Sequence, residues 1–100
     1  MQQARIAIIG AGYVGLPLGV AFAEIGDRVT FIEPDPVKVE LINAGDSYIK
    51  DIPSAQLGEL VRSGLVSASL EYATLADCDD VVICVPTPLN ENREIGRAHV

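Results

Sequence analysis

The sequence has 100 residues, which is about the size of one small domain. Hydrophobic residues make up 49% of it and its mean hydropathy is +0.31, which argues against a disordered chain. The net charge is −7 and no basic run or aromatic stacking platform is present, which argues against nucleic acid as a partner.

Targeting signals and cysteine usage indicate the compartment. The sequence shows no signal-peptide pattern and no apolar stretch of the roughly 20 residues that a membrane span needs. Its two cysteines, Cys78 and Cys84, have neither C-x-x-C nor metal-finger spacing. We therefore expect a cytoplasmic protein with reduced thiols and with no membrane partner or metal site.

The stretch around the first glycines predicts a strand, a tight turn and a helix. Residues 5–9 contain an unbroken apolar run, typical of a parallel strand that is covered on both faces. Gly10, Gly12 and Gly15 follow with the spacing G-x-G-x-x-G. In a dinucleotide-binding turn the first glycine permits the turn, the second lets a pyrophosphate approach the backbone, and the third lets the helix pack close to the strand.

The rest of the chain alternates between strand and helix patterns. The predicted elements, in chain order, are a helix over 13–25 that stops at Gly26, a strand over 28–32, a helix over 36–43, a helix over 55–62 with Ser54 as its N-cap, a strand over 66–70, a short helix over 71–76 and a strand over 80–85.

This alternation predicts an α/β fold with a parallel sheet of Rossmann type, in strand order 3-2-1-4 and flanked by helices. It corresponds to the first half of a doubly wound domain. Its fourth strand would be an edge, and a strand as apolar as DVVICV is poorly suited to an edge. We therefore expect a truncated domain over residues 1–94.

The last residues do not continue the pattern. The string EIGRAHV can be encoded by DNA that contains a common sequencing-adapter sequence. We therefore expect residues 95–100 to be an artefactual tail, and we assign His99 no catalytic role.

Several residues outside the glycine turn are candidates for a cofactor site. Glu33 ends the second strand, where a carboxylate can accept hydrogen bonds from an adenosine ribose and repel a 2′-phosphate, which favours NAD over NADP; the alternative is a solvated turn carboxylate. Lys38 can lie beside the same ribose or be a surface lysine. Thr87 follows the fourth strand, where ligands bind in open α/β sheets, or is simply a turn residue between two prolines.

The two cysteines are weaker candidates for chemistry. Cys84 lies in an apolar strand with no visible His or cationic partner to lower its pKa, so we interpret it as a core residue rather than a nucleophile. Cys78 offers no better case. We therefore predict no catalytic residue in this sequence.

Four strings carry a family resemblance: IGAGYVGLPLGVAFAEIG, FIEPDPVKVELINAG, SYIKDIP and CDDVVICVPTPLNENRE. Together they resemble the NAD-binding domain of the UDP-glucose/GDP-mannose (nucleotide-sugar) dehydrogenase family, over residues 5–94. The loop around SYIKDIP resembles most closely the branch that oxidises UDP-N-acetylhexosamines, UDP-N-acetylglucosamine in particular. Carried over by position, the resemblance implies NAD contacts at Gly10, Gly12, Tyr13, Val14, Gly15, Glu33, Lys38 and Thr87.

The resemblance also implies a reaction. In the family the C6 alcohol of a UDP-sugar becomes an aldehyde and then a carboxylate at the expense of two NAD+, and a cysteine holds the aldehyde as a thiohemiacetal. That cysteine lies in a glycine-rich motif beyond this sequence, so we expect the fragment to be inactive and the full-length enzyme to be a homo-oligomer.

Two other classes of protein contain the same glycine turn. One is a nucleotide-sensing regulatory domain of a transport system, which has no reason to carry SYIKDIP or the Pro-Thr-Pro that follows the fourth strand. The other is another NAD-dependent dehydrogenase, such as a UDP-glucose 6-dehydrogenase or a hydroxyacid dehydrogenase.

Overall fold

Four parallel strands form one sheet in the computed structural model of the protein, which describes residues 3–84. The elements run in the order β1 (Arg5–Ile9), α1 (Gly15–Glu24), β2 (Arg28–Ile32), α2 (Pro36–Ala44), α3 (Ser54–Arg62), β3 (Val66–Ser69), a 3-10 helix (Tyr72–Asp77) and β4 (Asp80–Ile83). The strand order is β3-β2-β1-β4. The predicted fold class and strand order are therefore confirmed.

The register of the sheet brings the carboxyl ends of three strands to one edge. Strand β1 pairs in parallel with β2 on one side and with β4 on the other, so that Ile9 lies level with Ile32 and with Ile83. Ligands of open α/β sheets bind just beyond the carboxyl ends of the strands. The fold thus places the loops after β1, β2 and β4 at one potential binding edge.

The main core lies between one face of the sheet and the helices. The registers align Ile6 with Val29 and Val29 with Val66, and two residues further on they align Ile8 with Phe31. Since strand side chains alternate with a period of two, these residues share one face. They form one buried cluster with helix residues that include Leu16, Val20, Ala23, Ile42, Leu57 and Leu60. Full burial of each larger aliphatic or aromatic side chain contributes about 1.5–3 kcal/mol.

Helix α1 is shorter than the predicted 13–25. It begins at Gly15 because the three residues before it form a turn, which the helix-type bond from Leu16 N–H to the Gly12 carbonyl (3.1 Å) closes. It ends at Glu24, and Gly26 follows with φ +101°, the left-handed conformation that stops a helix. The predicted stop at Gly26 is confirmed.

The prediction that Ser54 caps α3 is wrong. Ser54 is the first residue of the helix, and Pro53 precedes it as an N-cap without a side-chain hydrogen bond. The Ser54 hydroxyl instead accepts the backbone N–H of Ser47 at 2.9 Å. It therefore fixes the loop between α2 and α3 rather than the end of the helix.

The last third of the described chain differs slightly from the prediction. The short helix is a 3-10 helix, shifted by one residue from 71–76 to Tyr72–Asp77, and β3 ends at Ser69, one residue early. Strand β4 spans Asp80–Ile83, while Val85, the last residue of the predicted strand, lies outside the described residues. No described strand pairs with the outer edge of β4, where Ile83 is 68% exposed.

No helix within residues 3–84 is both long enough and apolar enough to cross a membrane.

Candidate dinucleotide-binding site

The glycine turn follows β1 at the carboxyl edge of the sheet. Gly10 has φ +99°, a backbone conformation that favours glycine, and its N–H donates to the Ile32 carbonyl at the end of β2 (2.9 Å). The turn is therefore tied to the ends of two neighbouring strands.

Close packing of α1 against β1 requires a glycine at position 15. A Cβ atom built on it would overlap the Gly10 carbonyl oxygen and would lie 3.3 Å from the Cβ of Cys84. The first turn of α1 thus passes directly over the end of β1, as the close helix–strand packing of this motif requires.

Gly12 differs from both of these glycines. A Cβ built there meets no atom of residues 3–84 within 4 Å, and its φ is not positive. Neither the backbone conformation nor the packing of the described residues therefore demands a glycine at this position. The open space beside Gly12 is where a ligand could approach the backbone.

The carboxylate of Glu33 lies beside the turn. The side chain is 6% exposed, and it directly follows β2. One carboxylate oxygen accepts the N–H of Ala11 at 2.9 Å, and the other accepts the N–H of Asp35 at 3.0 Å. A carboxylate can accept about four hydrogen bonds. Glu33 therefore stabilises the turn and retains lone pairs for a further donor.

Tyr48 also contacts the turn, which no sequence pattern indicated. It lies in the loop between α2 and α3, and its hydroxyl donates to the Ala11 carbonyl at 2.6 Å. The Lys38 Nζ lies 5.6 Å from the centroid of its ring, within the range of a cation–π interaction. The available signal was the single aromatic residue of the loop over 45–53, because a phenol hydroxyl can donate to a backbone carbonyl.

The surroundings of Tyr48 keep its hydroxyl protonated. Burial raises the pKa of Tyr48 above its ordinary value of 10.0, and the charges of Glu33 and Asp35 raise it further. The phenol is therefore a hydrogen-bond donor at neutral pH. The stability that comes from this raised pKa is present below about pH 10, where an unfolded tyrosine ionises, and is lost as the pH rises further.

The remaining predicted residues are distributed around this centre. Tyr13 and Val14 lie on the outer surface of the turn, 82% and 68% exposed. Lys38 is half-buried near the start of α2. Thr87 lies outside the described residues. The structure thus brings Gly10, Gly12, Gly15, Glu33 and Lys38 to one edge of the sheet.

The two cysteines lie at opposite ends of the sheet. Cys84 is a free thiol, half-buried against the core and next to the turn, as the interpretation of it as a core residue requires. Cys78 lies before β4, at the opposite end of the sheet, where it lines a cavity of about 320 Å³ with Arg5 and Arg28. Burial raises the pKa of the Cys78 thiol, and the charges of Asp77 and Asp79 add to this effect. The described residues include no cluster of His, Cys, Asp or Glu that could hold a metal ion.

The chain is similar to characterised dehydrogenases. It is 35% identical to the UDP-glucose 6-dehydrogenase of Pseudomonas aeruginosa, over 96% of this chain and 22% of that protein. It is 33% identical to the UDP-N-acetyl-D-mannosamine dehydrogenase of Escherichia coli, over 100% of this chain and 23% of that protein. The chain therefore spans less than a quarter of the length of these relatives.

Solved structures show the same likeness. The fold matches the UDP-D-ManNAc dehydrogenase of Pyrococcus horikoshii with a TM-score of 0.80 and 29% identity, over 94% of this chain and 24% of that one. It matches the GDP-mannose dehydrogenase of Pseudomonas aeruginosa with a TM-score of 0.79 and 29% identity, over 93% and 24%. Residues 4–100 match the NAD binding domain of one family. The chain therefore belongs to the UDP-glucose/GDP-mannose dehydrogenase family, as part of its NAD-binding domain.

Proposed function

We propose that this chain supplies the adenosine and pyrophosphate part of the NAD site of a nucleotide-sugar dehydrogenase. The whole enzyme would oxidise the C6 alcohol of a UDP-sugar to the uronate with two NAD+. The proposed sugar is UDP-N-acetylglucosamine, because the loop SYIKDIP resembles the branch that acts on UDP-N-acetylhexosamines. When bound, NAD+ supplies the hydride acceptor, and the residues of this chain bind and orient it.

The observation that carries the proposal is the open space at Gly12. Gly10 and Gly15 are explained by the protein itself, through a positive φ and through close packing. Within the part of the chain that the structure describes, Gly12 has no such explanation, because an added Cβ would meet none of its atoms within 4 Å. A pyrophosphate held against the backbone provides the missing reason, and the N-terminal end of α1 adds a favourable dipole for its charge. The residues present therefore fit NAD.

Glu33 supports NAD rather than NADP. Its carboxylate lies at the carboxyl end of β2 with lone pairs left for the ribose hydroxyls, and a negative charge there opposes a 2′-phosphate. Lys38 would lie beside the same ribose, and its positive charge would weaken this preference without reversing it. Tyr13 and Val14 would cover the pyrophosphate from the exposed side of the turn, and Thr87 would contact NAD beyond β4.

The second candidate function is UDP-glucose 6-dehydrogenase. It is favoured by relatives of that name in Pseudomonas aeruginosa and in Bacillus subtilis, which are 35% and 39% identical to the chain. Turnover assays with the four nucleotide sugars, on an enzyme extended to the length of these relatives, would discriminate the two functions. It should turn over UDP-N-acetylglucosamine faster than UDP-glucose, UDP-N-acetylmannosamine or GDP-mannose, and faster turnover of UDP-glucose would establish the alternative.

The cofactor role is tested by adding a side chain at Gly12. Gly12→Val should leave the free energy of unfolding nearly unchanged, because the new side chain begins in open space. It should lower NAD affinity at least tenfold in calorimetric titration, because that space would be taken by the pyrophosphate. Gly58→Ala is the control for a side chain added outside the turn, since Gly58 lies in α3 and its Cβ meets the flexible end of Arg62 at 3.2 Å. Equal NAD affinity in both variants and the wild type would refute the assignment.

A further inference from the structure

The Ala11 residue is held by side chains at both of its backbone polar groups. Its N–H donates to the Glu33 carboxylate at 2.9 Å, and its carbonyl accepts from the Tyr48 hydroxyl at 2.6 Å. Ala11 itself is fully buried. The two contacts come from residues 22 and 37 positions away, so elements distant in sequence fix the middle of the glycine turn.

The bond from Tyr48 has a consequence for the next residue. The Ala11 carbonyl and the Gly12 N–H belong to the same peptide group, which is planar and trans, so the two point in opposite directions. Fixing the carbonyl on Tyr48 therefore fixes the direction of the Gly12 N–H. Within residues 3–84 this N–H meets no acceptor, and it belongs to the residue that borders open space.

We propose that Tyr48 is a positioning residue for the NAD pyrophosphate, acting through the Ala11 carbonyl to aim the Gly12 N–H at the phosphates. This inference rests on the proposed function. It adds a residue of the α2–α3 loop, which lies outside the glycine motif, to the cofactor site. A backbone N–H held in advance loses no freedom when the anion binds, and this preorganisation increases affinity.

The surroundings of Tyr48 suit this role. The hydroxyl remains a proton donor at neutral pH, because burial raises the pKa of Tyr48 and the neighbouring carboxylates raise it further. The loop that carries it is fixed in turn, since the Ser47 N–H bonds to the Ser54 hydroxyl at 2.9 Å. The ring also lies under the Lys38 amine, 5.6 Å from the ring centroid, which helps to hold the ring in place.

The experiment compares ligands with and without a pyrophosphate on the 100-residue chain. Tyr48→Phe removes the hydroxyl and keeps the ring under Lys38. Its affinity for NAD and for ADP should fall roughly fivefold to tenfold, the size expected for one lost hydrogen bond. Its affinity for adenosine, which lacks phosphates, should change less than twofold. Tyr72→Phe is the matched control, since Tyr72 is 57% exposed in the 3-10 helix, and it should bind all three ligands like the wild type.

The outcomes separate the two proposals. If the wild type binds NAD and Tyr48→Phe binds NAD, ADP and adenosine equally well, the positioning role is wrong and the NAD site stands. If Tyr48→Phe weakens all three ligands equally, Tyr48 supports the fold generally and the positioning role is again wrong. If the wild type binds neither NAD nor ADP, the proposed function fails and this inference fails with it.

A measurement on the wild type avoids the risk that Tyr48→Phe does not fold. The amide proton of Gly12 should move downfield in the NMR spectrum when ADP is added and should stay in place when adenosine is added. An ADP-saturated sample in which the Gly12 amide does not move would overturn the proposal without any variant.

Discussion

At the scale of a single residue, Glu33 stabilises the glycine turn at the place where we propose that it binds the cofactor. Its position directly after β2 was predicted from the sequence. Its burial was not, because the bond to Ala11 joins residues 22 positions apart and depends on how the turn folds back over β2. The same holds for Tyr48, whose contact with Ala11 spans 37 positions. Sequence patterns show which residues follow a strand, whereas only the packed structure shows which backbone group they reach.

The hydrogen bonds of Glu33 to the turn predict that its removal lowers stability even when no cofactor is present. Glu33→Ala would leave the N–H of the fully buried Ala11 without its partner, at a cost of about 1–3 kcal/mol in the free energy of unfolding. The lost hydrogen bond of the Asp35 N–H costs less, because Asp35 is exposed and water can replace the carboxylate. Urea denaturation of the ligand-free chain measures the effect. Glu40→Ala, on the exposed side of α2, is the control and should change the stability by less than about 0.5 kcal/mol. Equal stability of the two variants would show that Glu33 does not hold the turn.

At the scale of elements, the order and type of the strands and helices followed from hydrophobic periodicity, while their ends did not. Helix α1 begins two residues later than predicted because the turn at 12–14 uses those residues to reverse the chain. Ser54 has the composition of an N-cap, but its hydroxyl is taken by the Ser47 N–H across the loop. Helix ends are decided by competition for single hydrogen bonds, which local composition does not resolve.

The contact between α1 and β2 gives a prediction at this scale. Gly19 lies on the buried side of α1, and a Cβ built there would lie 2.6 Å from the Cε1 of Phe31 and closer still to its Cζ. Gly19→Ala gains about 1 kcal/mol in helix propensity but overpacks the core, which typically costs about 1–3 kcal/mol, and a contact this short places the cost at the upper end. We therefore expect a net loss of stability of about 1–2 kcal/mol in urea denaturation.

Two further variants test the physical reason. Gly58→Ala gains the same helix propensity in α3, where the added Cβ meets only the movable end of Arg62 within 3.4 Å, so it should be neutral or stabilising. Phe31→Leu opens space opposite Gly19, so Gly19→Ala should cost less in that background than in the wild type. An equal cost in both backgrounds would mean that the two residues are not coupled and that the helix shifts elsewhere.

At the scale of the whole molecule, two opposing properties decide whether copies of the chain associate. The net charge of −7 repels other copies, but salt limits this repulsion to a distance of about 8 Å at physiological ionic strength. No described strand covers the outer edge of β4, where Val81 and Ile83 are 46% and 68% exposed. An open apolar edge strand can pair with the same edge of a second copy. Added salt weakens the repulsion between the negatively charged copies but does not weaken the apolar contact. Association should therefore increase with salt.

This balance predicts the effect of a charge placed on the edge. Ile83→Lys replaces an exposed apolar side chain, whose burial would contribute about 1.5–3 kcal/mol, with a group that opposes edge pairing. The dissociation constant for self-association should therefore rise about tenfold or more, as measured by light scattering over a concentration series. Val37→Lys is the matched control: Val37 is 61% exposed on α2 and lies on no strand edge, so this variant adds the same charge without touching β4. If both lysine variants weaken association equally, the change in net charge is responsible and the edge of β4 is not the contact.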